Sequence, residues 1–295
     1  MAIENFIPEL WASAILDPYL KSLVFGQPTV VNTDYEGELQ AQGDTVHVTT
    51  VGYPTISSYD KSTDIDIEDL SDTGQDLTVD QGDYFAFRVN DVDKVQAAGN
   101  FQSDAMNLAG YGLKDTVDQF IAAKFLTDPA TANKLGNVTV LDDDPRNITT
   151  GEITAWQVLV KLEEALDKQS VPTDGRYVVI SPAFRSALQM DRRFTSQNES
   201  GTTDTLRNGL VGRAASFDVL VSNNIAQDSL GRDVISAGVP GAISFVSQIN
   251  SVEAFREQKR FADVVRGLNI YGAKTFRPEG IATANVAVTG SYTAS

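Results

Sequence analysis

Asp64-Ile65-Asp66-Ile67-Glu68-Asp69-Leu70, then Tyr84-Phe85-Ala86-Phe87-Arg88-Val89, then Asn90-Asp91-Val92-Asp93 is the stretch whose reading decides the fold. An acidic, apolar-punctuated excursion passes into an aromatic strand, which delivers the chain to the N-terminus of a long helical pattern. Between Gly52-Tyr53-Pro54 and Gly82 the acids Asp60, Asp64, Asp66, Glu68, Asp69, Asp72, Asp76 and Asp80 face a single base, Lys61. Roughly thirty residues far exceed the ~4–6 typical of a connection in a compact domain. Ile65, Ile67, Leu70, Leu77 and Val79 punctuate the stretch, favouring a hairpin that docks on something else over a disordered loop. Before it, Val46, Val48 and Thr50 alternate with Thr45, His47 and Thr49 as in a strand. The natural reading is two strands joined by a long excursion, with residues 44–90 forming an extended β-hairpin loop.

Downstream, Val92, Val95, Phe101, Ala105, Leu108, Leu113, Val117, Phe120 and Ile121 recur at helical spacing until Asp128-Pro129, which predicts a helix over 91–126 capped by Asn90 or Asp91. Gly99, Gly110 and Gly112 interrupt it; they either admit a close neighbour or mark a bend. Upstream, residues 1–43 hold Phe6, Trp11, Leu16, Leu20 and Phe25 in an apolar segment. It reads either as a first helix packed on its own core or as an arm packed on a neighbouring subunit.

Residues 129–151 are a Pro/Asn/Asp-rich connection. A helix follows, with Thr149 or Thr150 near its start, Ile153, Trp156, Leu159, Leu162 and Leu166 on one face, and an end before Pro172. Tyr177-Val178-Val179-Ile180 is a buried strand, and Ser181-Pro182 an N-cap with proline at the first helical position. Asp191 to Gly209 reads as an exposed loop carrying Arg192, Arg193 and Arg207, and strands are expected at 217–221, 242–246 and in the C-terminal segments. Helix and sheet mix without regular alternation, which makes the fold class α+β.

All of the net charge of −17 lies in the first half: residues 1–150 carry 25 acidic and 8 basic side chains, residues 151–295 carry 15 of each. No basic stripe could neutralise phosphates, so sequence-specific DNA binding is not expected. No apolar run approaches the roughly 18–20 residues that span a bilayer, and no membrane partner is expected. The N-terminus lacks the pattern of a secretory signal and the chain has no cysteine, which fits folding in a reducing cytoplasm.

Catalysis fails on inventory. His47 is the single histidine and there is no thiol, so neither the usual base–nucleophile pair nor a nitrogen–sulfur zinc site can be built. Phosphate-binding and dinucleotide fingerprints are absent. Asp64 to Asp69 offers alternating oxygens, but a calcium loop needs glycine at its sixth position, where Asp69 stands. No cofactor, metal or enzymatic activity is expected; a carboxylate-based hydrolase or calcium-binding protein is the alternative from another class.

Phe6-Ile7-Pro8-Glu9-Leu10-Trp11, Leu23-Val24-Phe25-Gly26, Asp34-Tyr35-Glu36-Gly37-Glu38 and Gly43-Asp44-Thr45-Val46-His47-Val48 resemble the start of the major capsid proteins of tailed phages common in actinobacteria. In order along the chain, Asp64 to Leu70 with Tyr84 to Phe87 and Asp91 to Asp93, Val178 to Pro182, Phe217 to Asn224 and Tyr271 to Glu279 are similar to later segments of that family. The resemblance implies the Hong Kong 97-type capsid fold: an N-terminal arm (1–43), an extended loop (44–90), a peripheral domain with a spine helix (91–150), an apical domain (151–255), and closing peripheral strands with the C-terminus (256–295). It implies a major capsid protein self-assembling into pentamers and hexamers of an icosahedral or prolate head around double-stranded DNA, made in the host cytoplasm and residing in the virion capsid. Implied partners are further copies of the chain, a portal protein at one vertex and, optionally, a decoration protein. Because Met1 leads almost at once into the arm, a separate scaffolding protein is expected. No lysine–asparagine crosslinking pair is matched. An encapsulin nanocompartment shell shares the fold and is the alternative. Expected assembly contacts are Phe6, Trp11, Leu16, Leu20, Phe25, the acids Asp64, Asp66, Glu68, Asp69 and Asp72, and the bases Arg88, Arg185, Arg192, Arg193 and Arg207.

Overall fold

A computed structural model describes residues 23–35, 45–51, 54–56, 58, 61, 72–90, 101–141, 152–191, 212–256 and 262–289. The strands are β1 (Thr45–Val51), β2 (Asp72–Thr78), β3 (Gln81–Asn90), β4 (Lys134–Leu141), β5 (Glu152–Ile153), β6 (Tyr177–Ile180), β7 (Arg213–Ala214), β8 (Phe217–Val221), β9 (Asp233–Gly238), β10 (Ile243–Arg256), β11 (Ala262–Thr275) and β12 (Ile281–Thr289). The helices are α1 (Phe101–Thr127), α2 (Ala155–Lys168) and α3 (Pro182–Met190).

The larger sheet has the order β5-β4-β12-β9-β6-β8-β7 and mixes parallel with antiparallel pairs. β6 explains why it is covered on both sides. All four of its residues are buried, and the strand period of two sends them to opposite faces. Val178 and Ile180 join α2 and α3 through Leu159, Leu162, Leu166 and Phe184. Tyr177 and Val179 join α1 through Val117, Ile121 and Phe125. Two cores therefore share one sheet. Thr154 begins α2 with a capping box, its hydroxyl accepting from the Gln157 amide at 3.2 Å while the Gln157 side chain accepts from the Thr154 amide at 3.0 Å. The cap is thus Thr154, and not Thr149 or Thr150, because only here do the hydroxyl and Gln157 stand three residues apart. Ser181 caps α3 ahead of Pro182, as the Ser-Pro pair predicts.

The second sheet has the order β10-β11-β3. β1 pairs with β2, in register from Thr45 opposite Thr78 to Val51 opposite Asp72. The strand expected at 84–89 exists but is not the partner of β1: it pairs with β11. Its predecessor β2 takes β1 instead, and Leu77 and Val79, both buried, seal the hairpin base against Val246 and Ile270. At this crossing Gly272 lies under the Thr78 carbonyl so closely that a Cβ would collide with backbone.

Residues 243–256 pair with 262–275, and 281–289 return to the larger sheet between β4 and β9. α1 is continuous over Phe101–Thr127, and the Lys134 ammonium donates to the carbonyls of Leu126 and Thr127 at its C-terminus. A Cβ on Gly110 or Gly112 would meet nothing within 4 Å, so neither admits a close neighbour among the described residues; Gly99 lies outside them.

The β7–β8 turn places two non-glycine residues, Ala215 (φ 46) and Ser216 (φ 63), in left-handed backbone. Such turns favour Asn-Gly because side chains with a Cβ crowd there. Ala215→Asn is expected to raise unfolding stability by about 0.5–1 kcal/mol, read as a shifted denaturant midpoint at unchanged slope.

Candidate assembly surfaces

The described N-terminal segment, residues 23–35, is anchored to its own subunit. Val24, Phe25, Val30 and Val31 are buried, the Phe25 ring meets Phe125 at 5.5 Å, and Asn32 bridges to β10 through Ile243 and Phe245. This corrects the expectation for Phe25: a side chain 1% exposed in the subunit core cannot be a contact to another subunit. Phe6, Trp11, Leu16 and Leu20 lie outside the described residues.

One buried carboxylate fixes this segment. Asp118, 1% exposed on α1, accepts at Oδ1 from the Val24 amide at 2.9 Å and the Gly26 amide at 3.2 Å. Its Oδ2 accepts from Asn224 Nδ2 at 3.0 Å, a group that also donates to Asp115 Oδ1 at 2.7 Å. Sequence reading missed this site. Its signal was an acid in the apolar helix row that continues through Ala122 and Phe125.

Burial outweighs these donors and holds the Asp118 carboxyl above its ordinary value of 3.8. The folded protein then keeps a proton that the unfolded chain has released. The stability contributed by this group is therefore complete below pH 3.8 and is lost as pH rises through the raised folded value. Asp118→Asn removes the titration, so wild type is expected to lose stability relative to that variant as pH rises across this window, measured by denaturant unfolding at stepped pH.

The hairpin β1–β2 carries His47, whose Nδ1 lies 2.6 Å from Asp76 Oδ1 on an exposed face. Asp72 sits on β2 at the last register pair; Asp64, Asp66, Glu68 and Asp69 lie outside the described residues. Beside the hairpin, the outer face of the smaller sheet is apolar and open. Tyr84 is 76% exposed, Phe255 44% and Leu268 36%, and Ala86 and Val264 complete a groove between them. Arg266 crosses this face, donating to Glu253 at 3.0 Å and lying 5.2 Å from the Phe255 ring centre. Arg88, exposed on β3, stands opposite Val264. Arg185 is exposed on α3; Arg192, Arg193 and Arg207 lie outside the described residues. Exposed hydrophobes on the face of a three-stranded sheet are a surface awaiting cover. On the opposite face Phe85 and Phe87 stack at 6.1 Å, both half-buried, and Phe85 lines the cavity under α1.

Among the described residues no group of three or more histidine, cysteine or acidic side chains could hold a metal ion, and no helix is long and apolar enough to cross a membrane. The geometry can bind and position, through apolar faces, salt links and strand edges.

Residues 74–284 match the family described as phage capsid protein. No curated protein matches the chain. Among solved structures it is similar to one from Mycobacterium phage Che8, at 30% identity and a TM-score of 0.76 over 96% of this chain and 98% of that one. It is also similar to the capsid structure of cyanophage P-SCSP1u, at 15% identity and 0.75 over 98% and 95%, and to a structure from Gordonia phage Cozz, at 11% and 0.61 over 97% and 93%. The latter two likenesses concern fold alone. Since phage capsids are what the chain matches, the encapsulin alternative is not favoured. With its α+β sheets, long helix and near full-length likeness to these phage structures, the chain has the Hong Kong 97-type fold and belongs to the phage capsid protein family.

Proposed function

We propose that this major capsid protein builds its shell from pentamers and hexamers, closing an icosahedral or prolate head around double-stranded DNA. The observation that carries this is the open apolar face of Tyr84, Phe255 and Leu268 beside a hairpin whose base, and only its base, is sealed by buried side chains among the described residues. A subunit with such a face gains by covering it with another copy, and many modest contacts of this kind sum to a closed surface. Residues 1–22 and the hairpin tip are the segments proposed to reach neighbours. Acids of the tip would meet Arg88 and the other exposed bases, supplying register more than net energy. The proposed domains follow the strands: a peripheral unit of α1 with the β10-β11-β3 sheet, and an apical unit of the seven-stranded sheet with α2 and α3.

A separate scaffolding protein, a portal at one vertex, an optional decoration protein, assembly in the host cytoplasm and the lack of enzymatic activity belong to this proposal. The Asymmetric unit of the bacteriophage PhiM1 mature capsid, whose fold the chain shares at a TM-score of 0.66, supports the reading of a homo-oligomeric shell. Electron microscopy of the purified full-length chain, alone and with a scaffold partner, is expected to show closed shells. Boiled, denatured shells should run as monomers near 31.9 kDa. Protein that stays monomeric under both conditions would overturn the reading.

A further inference from the structure

We propose that Asp118 is the positioning residue that sets where the N-terminal segment leaves the subunit, and so whether residues 1–22 reach a neighbouring copy in register. The inference rests on the shell reading above. Its observation is the convergence of three parts of the chain on one carboxylate: the segment at Val24 and Gly26, helix α1, and Asn224 in the loop after β8. These donors lie 94, 92 and 106 residues from Asp118 in sequence. Asn224 is itself held, its amide donating to Ser222 Oγ at 3.0 Å.

A hydrophobic side chain at this helix position would avoid the cost of burying a carboxylate. Apolar packing, however, tolerates sliding. Two amides on one oxygen, two residues apart, allow a single register of the backbone. The site also borders a cavity of about 470 Å³ between α1 and the smaller sheet, lined by Leu23, Phe85, Met106 and Leu113; the Asn32 bridge to β10 sets the far end of the segment, and at the Leu23 end, beside this cavity, Asp118 sets it. Asp118 thus trades stability for a defined exit direction.

The test uses the full-length chain under conditions in which wild type forms shells, with two readouts: closed shells per folded subunit, and limited proteolysis of unassembled subunits with intact-mass detection of cuts in residues 23–31. Asp118→Ala is expected to lower shell yield by about tenfold or more, as lost multivalent contacts do, and to expose the segment to cleavage. Asp118→Asn keeps an acceptor for both amides but loses the one for Asn224 Nδ2, so it should recover part of the yield and exceed Asp118→Ala. Leu162→Ala, in the core on the far side of the larger sheet, should assemble as wild type does even when its melting temperature falls further. Gly26→Pro removes one donor and should impair assembly, whereas Gly26→Ala keeps it, meets no atom within 4 Å and should not; this pair decides the matter if Asp118→Ala does not fold. Normal shells from Asp118→Ala or Gly26→Pro, or a loss in Leu162→Ala that tracks its melting temperature, would overturn the proposal. Wild type that forms no shells would instead strike the shell reading, and the cleavage pattern of its subunits would still test the anchor.

Discussion

Replacing residues 52–71 with an Asn-Gly turn is expected to give a folded, soluble subunit that forms no closed shells. Val51 and Asp72 are the last register pair of the β1–β2 hairpin, and a two-residue turn of this composition closes antiparallel strands with the right twist. The graft keeps β2, whose Leu77, together with the following Val79, is 0% and 2% exposed and seals the base against β10 and β11. A deletion that ran on through residue 80 would tear out those buried side chains and confuse folding with assembly. Shortening the loop should not lower the melting temperature, because loop closure becomes cheaper. What is removed is the acidic, apolar-punctuated tip proposed to dock on another copy. Thermal unfolding separates the graft's fold from its assembly, and negative-stain microscopy reads the shells. Regular particles of wild-type size would show that the tip is dispensable and remove the central contact of the proposed mechanism.

Arg176→Met should destabilise the subunit by about 3–5 kcal/mol, a fall in melting temperature on the order of 10 °C. The Arg176 side chain is wholly buried. Its Nε donates to the Pro172 carbonyl at 2.8 Å, and Nη2 donates to the Val171 carbonyl at 2.6 Å and to Asp167 Oδ1 at 2.7 Å. One guanidinium thereby closes the whole turn from the end of α2 to the start of β6, past Gly175 at φ 71. Without it the buried Val171 carbonyl is left with no donor, and the part-buried Pro172 carbonyl loses its partner. Lysine should not rescue, since a point charge cannot serve acceptors arranged around a planar fork. Asp167→Asn should cost under about 1 kcal/mol because that carboxylate is more than half exposed and screened by water. An Arg176→Lys subunit that melts with wild type would refute the clamp.

Legibility in the sequence followed the range of the interaction. Tyr177–Ile180, the Ser181-Pro182 cap and the apolar face of α2 needed only neighbours three or four residues away, and they stand where periodicity places them. The acidic excursion was readable as composition, and the C-terminal strands as patterns. The candidate surface was less legible. Phe25 has the same apolar character as the residues expected to reach outward, yet it packs on Phe125 in its own subunit. Tyr84 and Phe85 are both aromatic neighbours on one strand, and only the side of the sheet each faces separates an exposed ring from a half-buried one. Asp118 resembled the many other acids of the first half until the amides of Val24 and Gly26 were brought to it.

By itself the sequence determined the local elements, the α+β class, the poverty of catalytic groups and, through ordered motifs, the family. Only the tertiary structure decided that β1 takes β2, that β3 takes β11, that β12 returns between β4 and β9, and that one carboxylate anchors the N-terminal segment. The reason is physical. Side-chain period and caps are properties of a few adjacent residues, whereas strand partnership and the burial of a charge depend on which distant surfaces meet, and local spacing carries no record of that choice.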